Sequence, residues 1–183
     1  MAARLRFPLL CCGWLLCMPL LAGEFEAVLT VSAERLRLAE AVAASKYARG
    51  VAVEDWVREA AVIEAAVQQG AAQGLDAAYL RRNVAQQIEA NKWIQYALLA
   101  EWRAAGSGPK GPVADLQREV RPQLDRLQLR LLDGLAALQP LRGQADCPAR
   151  LQAELFAFAA RQSLDRLQRT ALLRALDSVC TTE

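Results

Sequence analysis

The sequence predicts an all-α fold: a single-domain helical bundle built on long helices, with a C-terminal helical region stapled by one disulfide. Two observations carry the helical part. Beyond residue 23 the chain is dominated by Ala, Leu, Gln, Glu and Arg, the residues that lose least on entering a helix. Its apolar residues recur at i, i+3, i+4 and i+7, and strand-like alternation is nearly absent. A third observation carries the staple. Only Cys147 and Cys180 remain beyond residue 23, an even pair 33 positions apart, and an even pair in an exported chain reads as a disulfide.

The first 23 residues read as a cleaved signal peptide rather than as part of the fold, which then spans 24–183. Arg4 and Arg6 form a basic start, Phe7 to Leu21 is an uncharged apolar run too short to span a bilayer comfortably, and small Ala22 and Gly23 precede Glu24. The alternative is an uncleaved N-terminal anchor. The precursor carries 22 Lys+Arg against 20 Asp+Glu, and loss of Arg4 and Arg6 leaves 20 against 20. A neutral mature chain argues against a nucleic-acid partner, and with the signal removed no membrane partner is expected. The location expected is periplasmic or secreted.

The elements follow in order. A first helix runs from about Phe25 to Arg49 and is interrupted at Gly50. Glu54-Asp55 opens a second that continues to about Gln73, with Gly74 as its stop. Asp76 caps a third, from Ala77 to Ala104. The segment from Ala105 to Pro112, rich in Gly and Pro, is a loop between helices. Asp115 caps a fourth helix with Leu124, Leu127, Leu131, Leu135 and Leu138 at heptad-like spacing, and Pro122 kinks or restarts it. Gln139 to Asp146 is a turn. Cys147-Pro148 opens the final helical region, which reverses near Arg161 to Ser163 and ends at Cys180.

Polar residues interrupt the apolar stripes, and burying such groups unpaired costs several kcal/mol. On the first helix Val31, Arg35, Leu38, Ala39, Val42 and Lys46 share a face. Arg35 and Lys46 lie about 16 Å apart along one helix at ~1.5 Å per residue, so both could lean on one anion. The alternative is a pair of cations snorkelling at the stripe edge. On the second helix Arg58 leads into the apolar face. Asp55 and Glu59 also suit the helix N-terminus as dipole partners. On the third, Val84, Ile88, Asn91, Gln95, Leu98 and Trp102 form one stripe with Gln87 at its margin. Buried Asn91 and Gln95 need partners, from a ligand or from an inter-helix hydrogen bond that fixes register. Lys92 reads as solvated. By periodicity alone Arg130 is a surface residue paired with Asp133.

The chemistry open to such a set is narrow. The chain has no His, no Gly-rich phosphate loop, no Ser nucleophile with a base and no cysteines at metal spacing, so neither metal nor cofactor is expected. Cations, amides and carboxylates can hold a shape and stabilise developing charge. They suit a ligand with two carboxylates and a hydroxyl.

The residues resemble the secreted subclass of the all-helical chorismate mutases. The resemblance is carried by Ala33-Glu-Arg-Leu36, Val42-Ala-Ala-Ser-Lys46, Val53-Glu-Asp-Trp-Val-Arg-Glu59, Gln86-Gln-Ile-Glu-Ala-Asn-Lys-Trp-Ile-Gln95 and Trp102. It extends through the segment from Asp115 to Arg130 and the Cys147/Cys180 pair. It implies a cofactor-free isomerase that rearranges chorismate, its small-molecule partner, to prephenate by a pericyclic Claisen shift. It implies that Lys46 and Gln95 contact the ether oxygen. Arg35 and Arg130 would hold the substrate carboxylates, with Arg58 in support, and Glu59 and the backbone around Asp55 would take the ring hydroxyl. Asn91 stands where the family often has Ser or Thr. One chain would supply its whole pocket, and a homodimer is the assembly the subclass suggests. The competing class is a non-catalytic periplasmic binding or interaction module that keeps only an anion pocket.

Overall fold

The structure, a computed structural model, describes residues 23–181. The expected signal segment up to residue 22 lies outside the described residues. Within them the regular elements are all helical. They are α1 (Glu26–Arg37), α2 (Ala39–Arg49), α3 (Trp56–Ala71), α4 (Ala77–Ala104), a π-helical turn (Leu116–Val120), α5 (Arg121–Ala137), α6 (Cys147–Arg161) and α7 (Arg166–Ala175).

The structure splits the expected first helix and gives the local form of two boundaries that the sequence reading placed. The expected first helix is two helices. At Leu38 ψ is −11°, short of the helical value near −42°, and this interrupts the ladder for one residue. α2 ends at Gly50, whose φ of +63° places it in the left-handed region. There the Val51 N–H reaches back to the Lys46 carbonyl at 3.1 Å and the Gly50 N–H to that of Tyr47 at 3.1 Å. This is a Schellman closure, and it fixes Lys46 in the last turn. Before α5 the expected kink is the π-helical turn. The N–H groups of Val120 and Arg121 bond five residues back, to Asp115 and Leu116. Pro122 follows in the first turn of α5, and having no N–H it cannot continue an α-ladder from the preceding residues.

α4 is the long central element, and it packs against α1, α2, α3 and α7. Its N-terminus is set by Asp76, whose side chain accepts the Tyr79 N–H at 2.7 Å. The main core is closed by Phe25, Leu29, Leu80, Leu131, Leu135, Phe158 and Leu172, all buried. Each such side chain contributes roughly 1.5–3 kcal/mol on burial. α5 lies close along α1 because Gly134 leaves room there. A Cβ at that position would stand 2.8 Å from Val28 Cγ1.

α6 and α7 form the expected antiparallel pair. They turn through Gln162–Leu164, with Ser163 at φ 51°, and restart on a capping box between Asp165 and Gln168. The disulfide joins Cys147 at the start of α6 to Cys180 beyond α7, with Cα atoms 5.7 Å apart. The Tyr79 hydroxyl donates to the buried Val179 carbonyl at 3.0 Å and ties this C-terminal segment to α4. The disulfide closes a loop 33 residues long. The Cys147→Ala/Cys180→Ala double variant is therefore expected to lose about 3–4 kcal/mol in urea unfolding. It should retain the far-UV helical signal below its midpoint.

Candidate active site

The interrupted stripes of α1 to α4 face one cavity, closed on its far side by the π-helical turn and α5, with a volume of about 130 Å³. Arg35, Lys46, Asp55, Arg58, Glu59, Asn91 and Gln95 all line it, and Val42, Val62, Ile88 and Leu124 supply its apolar wall. That volume has room for one small molecule.

Each polar side chain is held by a contact across elements. Arg35 is buried, and its Nη1 donates to the Leu124 carbonyl of α5 at 3.2 Å. Lys46 Nζ donates to the Val53 carbonyl in the loop between α2 and α3. The Asn91 amide donates to the Arg35 main-chain carbonyl at 3.0 Å. Gln95 Nε2 in turn donates to Asn91 Oδ1 at 2.7 Å. The inter-helix alternative therefore describes Asn91: it bonds α4 to α1 and orients its neighbour. Gln95 keeps a second N–H, since a primary amide has two, and its Oε1 has no partner among the described residues.

The start of α3 is capped from both sides. Asp55 accepts the Arg58 N–H at 3.1 Å, and Glu59, one residue beyond the usual capping-box position, accepts the Asp55 N–H at 3.0 Å. Glu59 also receives Lys92 Nζ at 3.1 Å, and Lys92 bonds Glu89 at 2.7 Å. Across the cavity, Arg58 pairs with Asp125 at 3.2 Å and Arg121 with Asp55 at 3.8 Å, so α3 and α5 are laced together by charge.

Burial sets the electrostatics. It pushes the Arg35 guanidinium down to about 10, against an opposing pull from Asp125. Desolvation also lowers Lys46, against Asp55, Glu59 and Glu54, with Lys92 adding to the fall. Lys92 is displaced the other way. Its burial favours the neutral form, but its bonds to Glu89 and Glu59 outweigh that and raise its pKa.

Two residues are not where the sequence analysis put them. Arg130 does not line the cavity. Its guanidinium pairs with Glu34 on α1 and its side chain is 52% exposed. Neither the expected substrate contact nor the pairing with Asp133 is what the geometry gives. The cation that α5 presents to the cavity is Arg121, more than two turns earlier. Lys92, read as solvated, is 6% exposed and faces the cavity, because Glu59 on α3 lies opposite and compensates its charge. The residues missed are Gln87, Lys92, Arg121, Asp125 and Gln128. For Gln128 the signal was present: it stands four after Leu124 and three before Leu131, inside an apolar seam like the residues that were found.

The profile of the family described as chorismate mutase type II matches residues 26–96. The solved structure of a chorismate mutase from Burkholderia thailandensis superposes with a TM-score of 0.82 at 39% identity, covering 86% of this chain and 99% of that one. A second, from Burkholderia phymatum, gives 0.82 at 38% identity, covering 87% and 99%. The secreted chorismate mutase of Mycolicibacterium smegmatis is 29% identical over 159 residues, 87% of each chain.

The lowered pKa of Lys46 has a consequence for stability. Its protonated form is less favourable folded than unfolded, so Lys46 opposes folding at neutral pH, and that opposition is relieved as pH rises through the folded value. Lys46→Met is expected to raise the thermal midpoint at pH 7, with a smaller gain at pH 10, read from melts at the two pH values.

Proposed function

The chain belongs to the chorismate mutase family, and we propose that the cavity between α1 and α5 is where it rearranges chorismate to prephenate. The reading rests above all on the convergence of Arg35, Lys46, Arg58, Asn91 and Gln95, selected as breaks in helical periodicity, on one small cavity. The reaction is unimolecular. It asks the protein to hold a compact reacting conformer and to stabilise charge as the ether C–O bond breaks ahead of C–C bond formation.

Lys46 and Gln95 supply hydrogen-bond donors to the ether oxygen, where negative charge builds. Lys46 is held in place by the closure at Gly50 and the Val53 carbonyl. Gln95 offers the amide hydrogen left over from its bond to Asn91. Arg35 holds one substrate carboxylate from the buried end. Arg58 and Arg121 serve the other from the solvent side, where their side chains are 38% and 25% exposed. Glu59 takes the ring hydroxyl, with its carboxylate aligned by the Asp55 N–H and Lys92. Asn91 acts through Gln95 and is a positioning residue. Arg121 replaces Arg130 in this assignment.

The reaction is expected to run outside the cytoplasm, as the name of the Mycolicibacterium smegmatis relative says of that protein. The basic and apolar N-terminal segment agrees with this.

The test is a spectrophotometric assay of chorismate loss and prephenate formation by the chain lacking residues 1–23, without added metal or cofactor. Lys46→Met and Gln95→Leu are each expected to lower kcat by about 10²–10³-fold, the usual effect of removing one donor to a developing oxyanion. Helical circular dichroism should be unchanged. Arg121→Ala and Arg130→Ala separate the two candidate cations of α5. The first should raise KM by about tenfold or more and the second should leave kcat/KM within about twofold, since a bond to a charged group is worth at least a tenfold change. The reverse ranking would return the carboxylate contact to Arg130.

A further inference from the structure

We propose that Gln128 is a substrate-binding residue of this site, donating its side-chain N–H to the carboxylate that Arg35 holds. The proposal rests on the chorismate mutase reading of the cavity.

Three observations meet at this residue. Gln128 is 6% exposed and lines the cavity from α5. Neither its Nε2 nor its Oε1 has a hydrogen-bond partner, and among the described residues it alone has both atoms of a side-chain amide buried and unpartnered. The other buried amides show what a structural role looks like here. Asn83 donates to the Tyr79 and Ser178 carbonyls at 2.9 and 3.2 Å, and Gln87 to Ser32 Oγ and the Ala175 carbonyl at 2.7 and 3.1 Å. In both, the NH2 group is paired although Asn83 Oδ1 and Gln87 Oε1 are not; a buried amide donor left unpaired, as in Gln128, carries its whole desolvation cost.

The position indicates what completes it. A helical side chain leans over the turn on its N-terminal side, so Gln128 covers the turn around Leu124 and Asp125. The Leu124 carbonyl is the one to which Arg35 Nη1 donates. The Arg35 Nε is itself buried without a partner among the described residues. An unpaired guanidinium N–H and an unpaired amide thus share one wall, and a carboxylate oxygen accepts from both. Aliphatic substitution at this position would suit the neighbouring leucines equally well. An amide is explained by a ligand.

Gln128→Leu keeps the approximate volume and removes both polar atoms. It is expected to raise KM for chorismate by about 10- to 100-fold, the range for a hydrogen bond to a charged group, and to leave kcat within about threefold. Its thermal midpoint without substrate should be equal to or above wild type, since an unpaired buried amide has been removed. Gln128→Glu keeps the shape but presents a carboxylate to an anion. Its KM at pH 8 should exceed that of Gln128→Leu and fall back as the pH is lowered and the new carboxyl regains a donor proton. An unchanged KM in Gln128→Leu, or a lowered midpoint with KM unchanged as expected if an ordered water pairs the amide, overturns the proposal. If Gln128→Leu fails to fold, a pH-independent KM in Gln128→Glu overturns it. Wild-type turnover in the same assay separates the two levels of inference. Without it both fall; with it, an unchanged Gln128→Leu sinks this assignment alone.

Discussion

The structure depends on how a helical bundle can hold cations away from water. A helix interior uses its N–H and C=O groups on itself, so an inward-facing Arg or Lys must find acceptors where the ladders are interrupted or where a carbonyl has a lone pair to spare. Each anchor of the cavity follows that rule. Lys46 reaches the Val53 carbonyl in the loop between α2 and α3. Asn91 reaches the Arg35 carbonyl in the last turn of α1, just before the break at Leu38. Arg35 itself uses the Leu124 carbonyl of α5. The break at Leu38 and the closure at Gly50 are thus parts of the site: they place the acceptors that fix its donors.

The kind of partner also sorts the cations. Arg35 and Lys46 are held by neutral carbonyls, so the pull of Asp125 on the first and of Asp55, Glu59 and Glu54 on the second acts without a contact ion pair. Arg58 and Arg121 are held by Asp125 and Asp55, in pairs whose members are 25–65% exposed. Exposed pairs of this kind are worth little, commonly below about 1 kcal/mol, and a substrate carboxylate can displace them at small cost. The buried end of the cavity therefore keeps cations without a contact ion pair, and the solvent edge keeps cations that are prepositioned yet exchangeable. Lys92 and Glu59 stand apart from both groups. Their side chains are only 7% and 16% exposed, so loss of Lys92 would leave the Glu59 carboxylate in a poorly solvated place, whereas Lys92 keeps Glu89 as a second partner.

Periodicity carried the sequence reading as far as it applied. It found Arg35, Lys46, Arg58, Asn91 and Gln95 because each breaks an apolar stripe, and a stripe in a bundle has to face inward. It failed where the reason for burial lies on another helix. Lys92 sits off the stripe of α4 and is buried because Glu59 of α3 compensates it. Arg121 stands at a boundary where the π-helical turn shifts the helical phase just ahead of Pro122, so a register counted through that point does not show which way it faces. Arg130 was assigned by resemblance against its own periodicity, and the structure returns it to the outer side of α5, with Glu34 as its partner. The long α4, the cap at Asp76 and the Cys147–Cys180 pair were legible because each depends on local chemistry or on composition alone.

What remains unpaired in the cavity then has a common sense. The buried atoms left without partners there are the Arg35 Nε, the Oε1 of Gln95 and of Gln87, and both amide atoms of Gln128. Others lie elsewhere in the fold, on Arg82, Asn83, Gln86 and Arg174, but those of the cavity share its lining with Arg35 and Lys46. Each is costly to bury alone, and Lys46 adds a desolvation penalty of its own. A fold that accumulates these costs at one place is less stable than its core would allow, and it recovers the difference only when a ligand of matching charge and hydrogen-bonding capacity is bound. A pocket assembled this way is organised before its ligand arrives, and that prior organisation is what a pericyclic rearrangement requires of a protein that takes no covalent part in it.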